Sequence, residues 1–219
     1  MSARAPLRLA ILISGRGSNL AAIAHACRER RIAAEIAVVL SERPEAQGLT
    51  VARELGLDAR AIAWPGAARR AEFERAAAAV LEETGAQLIV LAGFMRILSG
   101  SFVAARHGAI LNIHPSLLPK YPGLHTHRRA LDARDRVHGA TVHFVTEELD
   151  GGPRVLQAKV PVLRDDTEQS LCARVQSAEH IIYPRVIGWR ADGRLLWRAG
   201  SPWLDGRPLL QPLVETFDA

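Results

Sequence analysis

The sequence is poor in several features that mark particular classes of protein. Its two cysteines provide no disulfide framework in 219 residues, and neither lies in a metal-binding or redox motif. Apolar runs are short: the run over residues 9–13 is shorter than a signal-peptide core, and no segment approaches the ~20 apolar residues of a transmembrane helix. We therefore expect a cytoplasmic protein with no membrane partner.

Lysine is also scarce. The chain has Lys120 and Lys159, and its other Lys/Arg positions are arginines. The net charge is +5 at pH 7, but the arginines are scattered among acidic residues. Aromatic residues make up 5% of the chain and form no stripe with the basic ones. We therefore expect no nucleic-acid partner. The positive charge indicates instead a site for an anionic substrate such as a phosphate ester.

Short apolar segments alternate with helical ones over the first half of the chain. We predict strands over residues 7–14, 35–40, 59–63, 87–91 and 109–113, and helices over residues 18–30, 45–55, 69–84 and 99–105. Strands that are apolar on both faces indicate a mostly parallel sheet with helices on both sides.

The second half of the chain has a different pattern. Residues 138–145 and 154–163 alternate as longer strands around an Asp-Gly-Gly turn, which indicates an antiparallel addition at one sheet edge. A long helix over residues 167–187 closes the core. We predict one Rossmann-like, doubly wound α/β domain over residues 1–219. Residues 1–6 and the far C-terminus are expected to be poorly ordered, and residues 190–219 carry no clear pattern.

The strongest chemical motif is Asn112 followed two residues later by His114, where the predicted fifth strand ends. Side chains at positions i and i+2 of a strand point to the same side. An amide donor beside an imidazole suits acyl transfer, which needs a donor for an oxyanion and a carrier for a proton. Prolines and a glycine follow at once, so we expect a fixed loop rather than a helix. Asp150 comes just after the later predicted strand over residues 138–145. A carboxylate near His114 would raise the pKa of the imidazole.

The first strand is followed by a glycine-rich turn, Ser-Gly-Arg-Gly-Ser-Asn-Leu, over residues 14–20. A dinucleotide site would need a third glycine where the chain has Leu20. A tight turn without a ligand is a second interpretation. We favour a third, in which Gly17, Ser18 and Asn19 hold one phosphate monoester at a helix N-terminus.

Other candidate sites are weaker. His125 and His127 form an H-x-H pair, with His138 and His143 further on, but carboxylate ligands at metal spacing are missing. We therefore expect no metal. Ser116 lies outside a G-x-S-x-G elbow, which argues against a serine hydrolase.

Taken together, the motifs resemble the phosphoribosylglycinamide formyltransferase family, the folate-dependent formyl transferases of purine biosynthesis. The resemblance lies in Asn-Ile-His-Pro-Ser-Leu-Leu-Pro-Lys-Tyr-Pro-Gly-Leu-His-Thr-His over residues 112–127 and Leu-Ala-Gly-Phe-Met-Arg-Ile over residues 91–97. It also lies in His-Gly over residues 138–139, His-Phe-Val-Thr over residues 143–146 and Leu-Asp-Gly-Gly over residues 149–152. It implies that the amine of glycinamide ribonucleotide attacks the formyl carbon of 10-formyltetrahydrofolate. By motif position Asn112 would hydrogen-bond the oxyanion, His114 would move the proton, and Asp150 would orient His114.

The same resemblance implies two binding regions and a co-substrate. The ribonucleotide would be held by Gly17, Ser18, Asn19, Gln176, Ser177, Ala178 and Glu179. The folate would be held by Arg70, Met95, Arg96, Ile97, Leu98, Asn112, Thr146, Glu147, Glu148, Leu149 and Asp150. The formyl folate is a co-substrate, and no cofactor or metal beyond it is implied. A monomer and a homodimer both stay open.

Three other functions compete with this one. A formyltetrahydrofolate hydrolase shares the Asn/His/Asp site, but such enzymes resemble this chain fused to an N-terminal regulatory domain. A methionyl-tRNA formyltransferase would need a C-terminal tRNA-binding domain, for which residues 190–219 are expected to be too few. A noncatalytic sugar-phosphate-binding module is the third. The first strand near residue 7 and the segment over residues 120–127 favour the transferase.

Overall fold

The computed structural model describes residues 5–218, which form an eight-stranded sheet, a three-stranded sheet and six α-helices. The strands are β1 (Leu7–Ile13), β2 (Ala34–Ser41), β3 (Ala59–Ala61), β4 (Leu88–Leu91), β5 (Ile110–His114), β6 (Val137–Phe144), β7 (Arg154–Pro161), β8 (Leu195–Arg198), β9 (Ser201–Leu204), β10 (Arg207–Pro208) and β11 (Leu213–Thr216). The helices are α1 (Ser18–Arg28), α2 (Gln47–Glu54), α3 (Arg70–Glu83), α4 (Gly100–Ala104), α5 (Thr126–Asp132) and α6 (Glu168–Ala191). A 3-10 turn, Ala67–Arg69, precedes α3.

The strand order of the large sheet is β11-β7-β6-β5-β4-β1-β2-β3. Strands β1 to β5 pair in parallel, and β6 runs antiparallel to both of its neighbours. The predicted mostly parallel sheet with an antiparallel addition is therefore confirmed. The structure adds β11, which pairs in parallel with β7 and takes the edge position predicted for that antiparallel pair.

Alternation along β1 explains why both faces of the sheet are covered. Leu9 and Ile11 belong to the core shared with α1 and α6, whereas Ala10 and Leu12 belong to the core shared with α3 and α4. All four are fully buried or nearly so. Since successive strand residues point to opposite faces, one apolar run supplies both cores.

The C-terminal region forms structure that the sequence did not predict. Strands β8, β9 and β10 build the small antiparallel sheet. Trp197 of β8 packs with its ring centroid 4.9 Å from that of Phe144, and it lies directly against Gly108. The small sheet is thereby attached to the turn that precedes β5.

The loop predicted directly after β5 is confirmed over residues 115–125, and the structure adds a short helix after it that the sequence did not predict. Helix α5 begins at Thr126, directly after His125, which has a left-handed backbone with φ 59°. The hydroxyl of Thr126 donates to the carbonyl of Pro115 at 2.6 Å, so the helix start is tied back to the strand end. The prolines and glycine all lie before this start, so they do not interrupt the helix.

The expected disorder at the two ends falls partly on residues 1–4 and 219, which lie outside the described residues. None of the helices described over residues 5–218 has the length and apolar character that a membrane span requires.

Candidate active site

The candidate site lies where β5 ends beside β6. Asn112 is half-buried and His114 is buried, and both stand on one face of β5 as their spacing predicts. Opposite them in the antiparallel register, Asn112 faces His143 and His114 faces Thr141. The two strands therefore place an amide and two imidazoles together.

The loop between β5 and α5 and the loop after β6 hold His114. Its Nε2 donates to the carbonyl oxygen of Tyr121 at 2.8 Å, and that carbonyl is turned inward by a left-handed backbone at Tyr121, φ 58°. Its Nδ1 lies 3.4 Å from Oδ2 of Asp150. A neutral imidazole has one N–H, so donation from Nε2 leaves Nδ1 as the basic nitrogen. The basic nitrogen of His114 therefore faces a carboxylate.

Asp150 is fixed by its own contacts. Its carboxylate accepts a hydrogen bond from the backbone N–H of Gly123 at 2.8 Å, and its backbone is left-handed with φ 53°. The side chain is 8% exposed, so its charge is partly withdrawn from water. The loop after β5 and the turn after β6 thus meet at this carboxylate.

Asn112 makes one side-chain hydrogen bond among the described residues. Its Nδ2 lies 3.1 Å from Nε2 of His143, while Nδ1 of His143 donates to the carbonyl of Phe144 at 2.9 Å. Burial lowers the pKa of His143 from 6.5 to about 4, so the ring is neutral at physiological pH. The sequence placed His143 in a family motif but gave it no role at this site, because the pairing of β5 with β6 is not visible along the chain.

The glycine-rich turn packs tightly against α2 and α6. Gly17 has φ 80° and precedes α1, and a Cβ placed there would lie 2.8 Å from Cα of Gly48. The side chain of Asn19 donates to Glu179 at 2.8 Å, and burial raises the pKa of Glu179 to about 7. The first N–H groups of a helix have no partner within the helix, so the start of α1 suits an anion at this turn.

Helix α6 brings some of its four candidate residues to the turn and not others. Gln176 donates from its side chain to the hydroxyl of Ser18 at 2.8 Å, and Glu179 reaches Asn19. Ser177 is exposed and hydrogen-bonds the carbonyl of Ala173 in its own helix at 3.1 Å. Ala178 is buried in the core.

The candidate folate segment follows β4. Met95 and Ile97 are 63% and 62% exposed, so both present apolar surface to solvent. The backbone N–H of Met95 donates to the hydroxyl of Ser14, which in turn donates to the buried carboxylate of Glu42. Nε of Arg96 lies 3.3 Å from the same carboxylate, so this partly exposed arginine is paired with a buried acid. These contacts, which the sequence did not predict, hold the segment against the ends of β1 and β2.

Two further elements border this segment. Nη1 of Arg70 donates to the carbonyl of Ile97 at 3.5 Å, and Leu98 leads into α4. The carboxylate of Glu147 lies against Gly100, which brings the turn over residues 146–150 beside α4. That turn exposes Leu149, at 56%, together with Glu147 and Glu148.

The remaining histidines form no metal centre in the described chain. His127 and His138 pack edge to face with ring centroids 5.2 Å apart, and burial lowers the pKa of both, that of His138 to about 4. Residues 5–218 contain no group of three or more His, Cys, Asp or Glu side chains that could hold a metal ion. His125 is exposed at the start of α5.

Comparison with known proteins gives consistent matches. The family model described as formyl transferase matches residues 7–187. A phosphoribosylglycinamide formyltransferase of Escherichia coli (strain K12) is 50% identical over 203 residues, covering 93% of this chain and 96% of that protein. One from Haemophilus influenzae is 45% identical over 202 residues, covering 92% and 95%. The solved phosphoribosylglycinamide formyltransferase of Coxiella burnetii superposes with a TM-score of 0.88 at 42% identity, covering 95% of this chain and 99% of that one.

Proposed function

Because the chain belongs to the formyl transferase family, we propose that Asn112, His114 and Asp150 form the centre at which it carries out its reaction. That reaction is the phosphoribosylglycinamide formyltransferase step of purine biosynthesis, in which a formyl folate supplies the formyl group. The form of the folate that we assign is 10-formyltetrahydrofolate, and the acceptor is the glycyl amine of the ribonucleotide.

One observation supports these roles above the others: Asn112 and His114 stand on one face of β5, and Asp150 lies 3.4 Å from Nδ1 of His114. Attack of the amine nitrogen on the formyl carbon forms a C–N bond and places negative charge on the formyl oxygen. An N–H of Asn112 donates to that oxyanion, and a preorganised donor of this kind is worth ~3 kcal/mol in the transition state.

The proton follows the opposite path to the formyl group. The attacking amine gives its proton to Nδ1 of His114, and the resulting imidazolium pairs with Asp150. When the bond between the formyl carbon and N10 breaks, His114 returns the proton to N10, so tetrahydrofolate leaves neutral and His114 is restored. A proton shuttle of this kind contributes roughly 10²- to 10⁴-fold in rate.

The ribonucleotide is assigned to the turn at α1. The N–H groups of Gly17, Ser18 and Asn19 bind the phosphate, with Gln176 and Glu179 on the α6 side. Ser177 and Ala178 belong to the same predicted segment, but the Ser177 hydroxyl bonds within its own helix and Ala178 is buried in the core. A Glu179 carboxyl whose pKa is about 7 accepts hydrogen bonds from the ribose hydroxyls or the glycyl amine when ionised.

The folate is assigned to the exposed apolar surface after β4. Met95, Ile97 and Leu149 cover the flat pterin ring, and backbone groups pair with its polar edge. Arg70 faces the glutamate carboxylate of the folate. The other members of this region are Arg96, Leu98, Asn112, Thr146, Glu147, Glu148 and Asp150.

The wider properties of the enzyme are also proposals. Residues 1–219 act as one domain, as a monomer or a homodimer, without a metal and without a nucleic-acid or membrane partner. The free thiols of Cys27 and Cys172 fit a reducing compartment such as the cytoplasm.

The test follows release of deformylated folate from 10-formyltetrahydrofolate with and without the ribonucleotide. We expect turnover that requires the ribonucleotide, and we expect His114→Ala to lose at least roughly 100-fold in kcat. His25→Ala, a change at an exposed histidine of α1, serves as the matched control and should keep wild-type rates. Equal rates without the ribonucleotide would indicate a hydrolase. Ribonucleotide binding without any turnover would indicate a noncatalytic module.

A further inference from the structure

We propose that His143 is a positioning residue, which fixes the amide of Asn112 so that one N–H stays available for the formyl oxyanion. This inference rests on the proposed function, because it concerns the donor that we assign there. It adds a fourth side chain to the site, one that acts through Asn112 and need not touch either substrate.

The strand register creates the contact. Asn112 of β5 and His143 of β6 are direct partners across the antiparallel pair, and Nδ2 of the amide lies 3.1 Å from Nε2 of the ring. Because both side chains project from paired backbone positions, the amide and the ring share the same face of the sheet.

The tautomer of His143 is set by a backbone carbonyl. Nδ1 lies 2.9 Å from the oxygen of Phe144, and a carbonyl oxygen can only accept. Nδ1 therefore carries the hydrogen and Nε2 presents a lone pair. A lone pair attracts the NH₂ end of the Asn112 amide and repels its oxygen, so the amide is held with nitrogen toward His143.

This orientation leaves the second N–H of Asn112 without a partner among residues 5–218. If the amide rotated by half a turn, its oxygen rather than its N–H would face the position of the oxyanion. Two oxygens that both carry negative charge repel each other. One hydrogen bond to His143 thus decides whether the site offers a donor or an acceptor to the formyl group.

The protonation state of His143 is suited to this role. The side chain is 2% exposed, and burial keeps the ring neutral at physiological pH. Its Nε2 also lies 3.8 Å from Oδ1 of Asp150. A charged His143 would compete with His114 for that carboxylate and would lose its lone pair for Asn112, whereas the neutral ring does neither.

The test uses two substitutions at His143, each of which retains one of the two hydrogen bonds made by the ring. His143→Gln places an acceptor oxygen near the position of Nε2, whereas His143→Asn keeps a donor near Nδ1 for the carbonyl of Phe144 and leaves the Nε2 position empty. We expect His143→Asn to lower kcat by roughly 10- to 100-fold, part of the loss that follows removal of an oxyanion donor. The KM of each substrate should stay within about threefold, and His143→Gln should recover most of the rate.

A double-mutant cycle separates positioning from a general structural role. In an Asn112→Ala background, His143→Asn should cause no further loss of kcat, because the group through which it acts is already absent. Multiplying losses, or a His143→Asn variant at wild-type kcat, would overturn the proposal.

A spectroscopic readout keeps the test independent of the assigned reaction. Nitrogen-15 NMR of histidine-labelled wild-type protein should show the Nδ1–H tautomer for His143 near pH 7, assigned by the loss of its signals in His143→Gln. An Nε2–H tautomer or a charged ring would overturn the inference whether or not transfer is observed. If wild-type protein shows the Nδ1–H tautomer but no ribonucleotide-dependent transfer, the proposed function fails and with it the catalytic purpose of the contact.

Discussion

His143 is uncharged in the folded chain at neutral pH, and this makes the protein sensitive to acid. Burial lowers the pKa of this histidine from 6.5 to about 4, and unfolding returns the ring to water, where its ordinary pKa applies. Between these two values the unfolded chain binds a proton that the folded chain does not. The contribution to the free energy of unfolding is therefore fully present above pH 6.5 and is lost as the pH falls toward 4.

The expected size follows from the two pKa values. A pKa lowered from 6.5 to about 4 corresponds to ~3 kcal/mol when the loss is complete, since each tenfold change in proton affinity is worth ~1.4 kcal/mol. At about pH 5 the same values give a loss of ~2 kcal/mol. This is a large share of the stability of an ordinary domain, which is ~5–15 kcal/mol.

The assay is urea unfolding of wild-type and His143→Gln protein at about pH 7.5 and at about pH 5. Glutamine does not titrate, so the wild type should lose ~2 kcal/mol more than the variant between the two conditions. His25→Gln, at an exposed position, should follow the wild type and controls for removal of any histidine. Equal losses in the wild type and in His143→Gln would refute the argument that burial depresses this pKa.

Three further changes test other parts of the structure. Gly17→Ala forces a side chain into a backbone with φ 80° and against Gly48, so we expect a loss of ~1–3 kcal/mol in thermal unfolding and a raised KM for the ribonucleotide. Burial raises the pKa of Glu179 from 4.5 to about 7, so the contribution of this group to stability falls as the pH rises through this window, opposite in sign to that of His143. Relative to the wild type, Glu179→Gln should therefore gain up to ~3 kcal/mol in urea unfolding between the two ends of the window. Glu42→Gln removes the buried charge that faces Arg96. It should raise the KM for the formyl folate several-fold while the KM for the ribonucleotide stays unchanged, and a change in both would argue against a local effect.

Much of the fold follows from residue pattern alone. The parallel sheet was predictable because strands buried on both faces read as continuous apolar runs between helical segments. The pair of Asn112 and His114 follows from strand alternation, which needs no knowledge of any neighbour. Both the apolar runs and the alternation of side chains are set by neighbouring residues along the chain, so they can be predicted without knowing how the strands pair.

The contacts that hold the site depend on chain paths that no local pattern reveals. His143 meets Asn112 only because β6 pairs with β5 in one particular register. Tyr121 turns its carbonyl toward His114 through a left-handed backbone, a conformation that a tyrosine rarely adopts. The signal for His143 in the sequence is its position in the predicted strand over residues 138–145, the next strand after the one that carries Asn112. That signal does not show which ring nitrogen His143 presents.

The C-terminal strand β11 has a consequence for handling the protein. Without it, the eight-residue β7 would be the exposed edge of the sheet, and a long unpaired edge is a template for intermolecular pairing. Strand β11 replaces that edge with one of four residues, whose Glu215 is paired with Arg185. A chain shortened before Leu213 should therefore aggregate during expression even if its active site is intact, and affinity tags are better placed at the N-terminus.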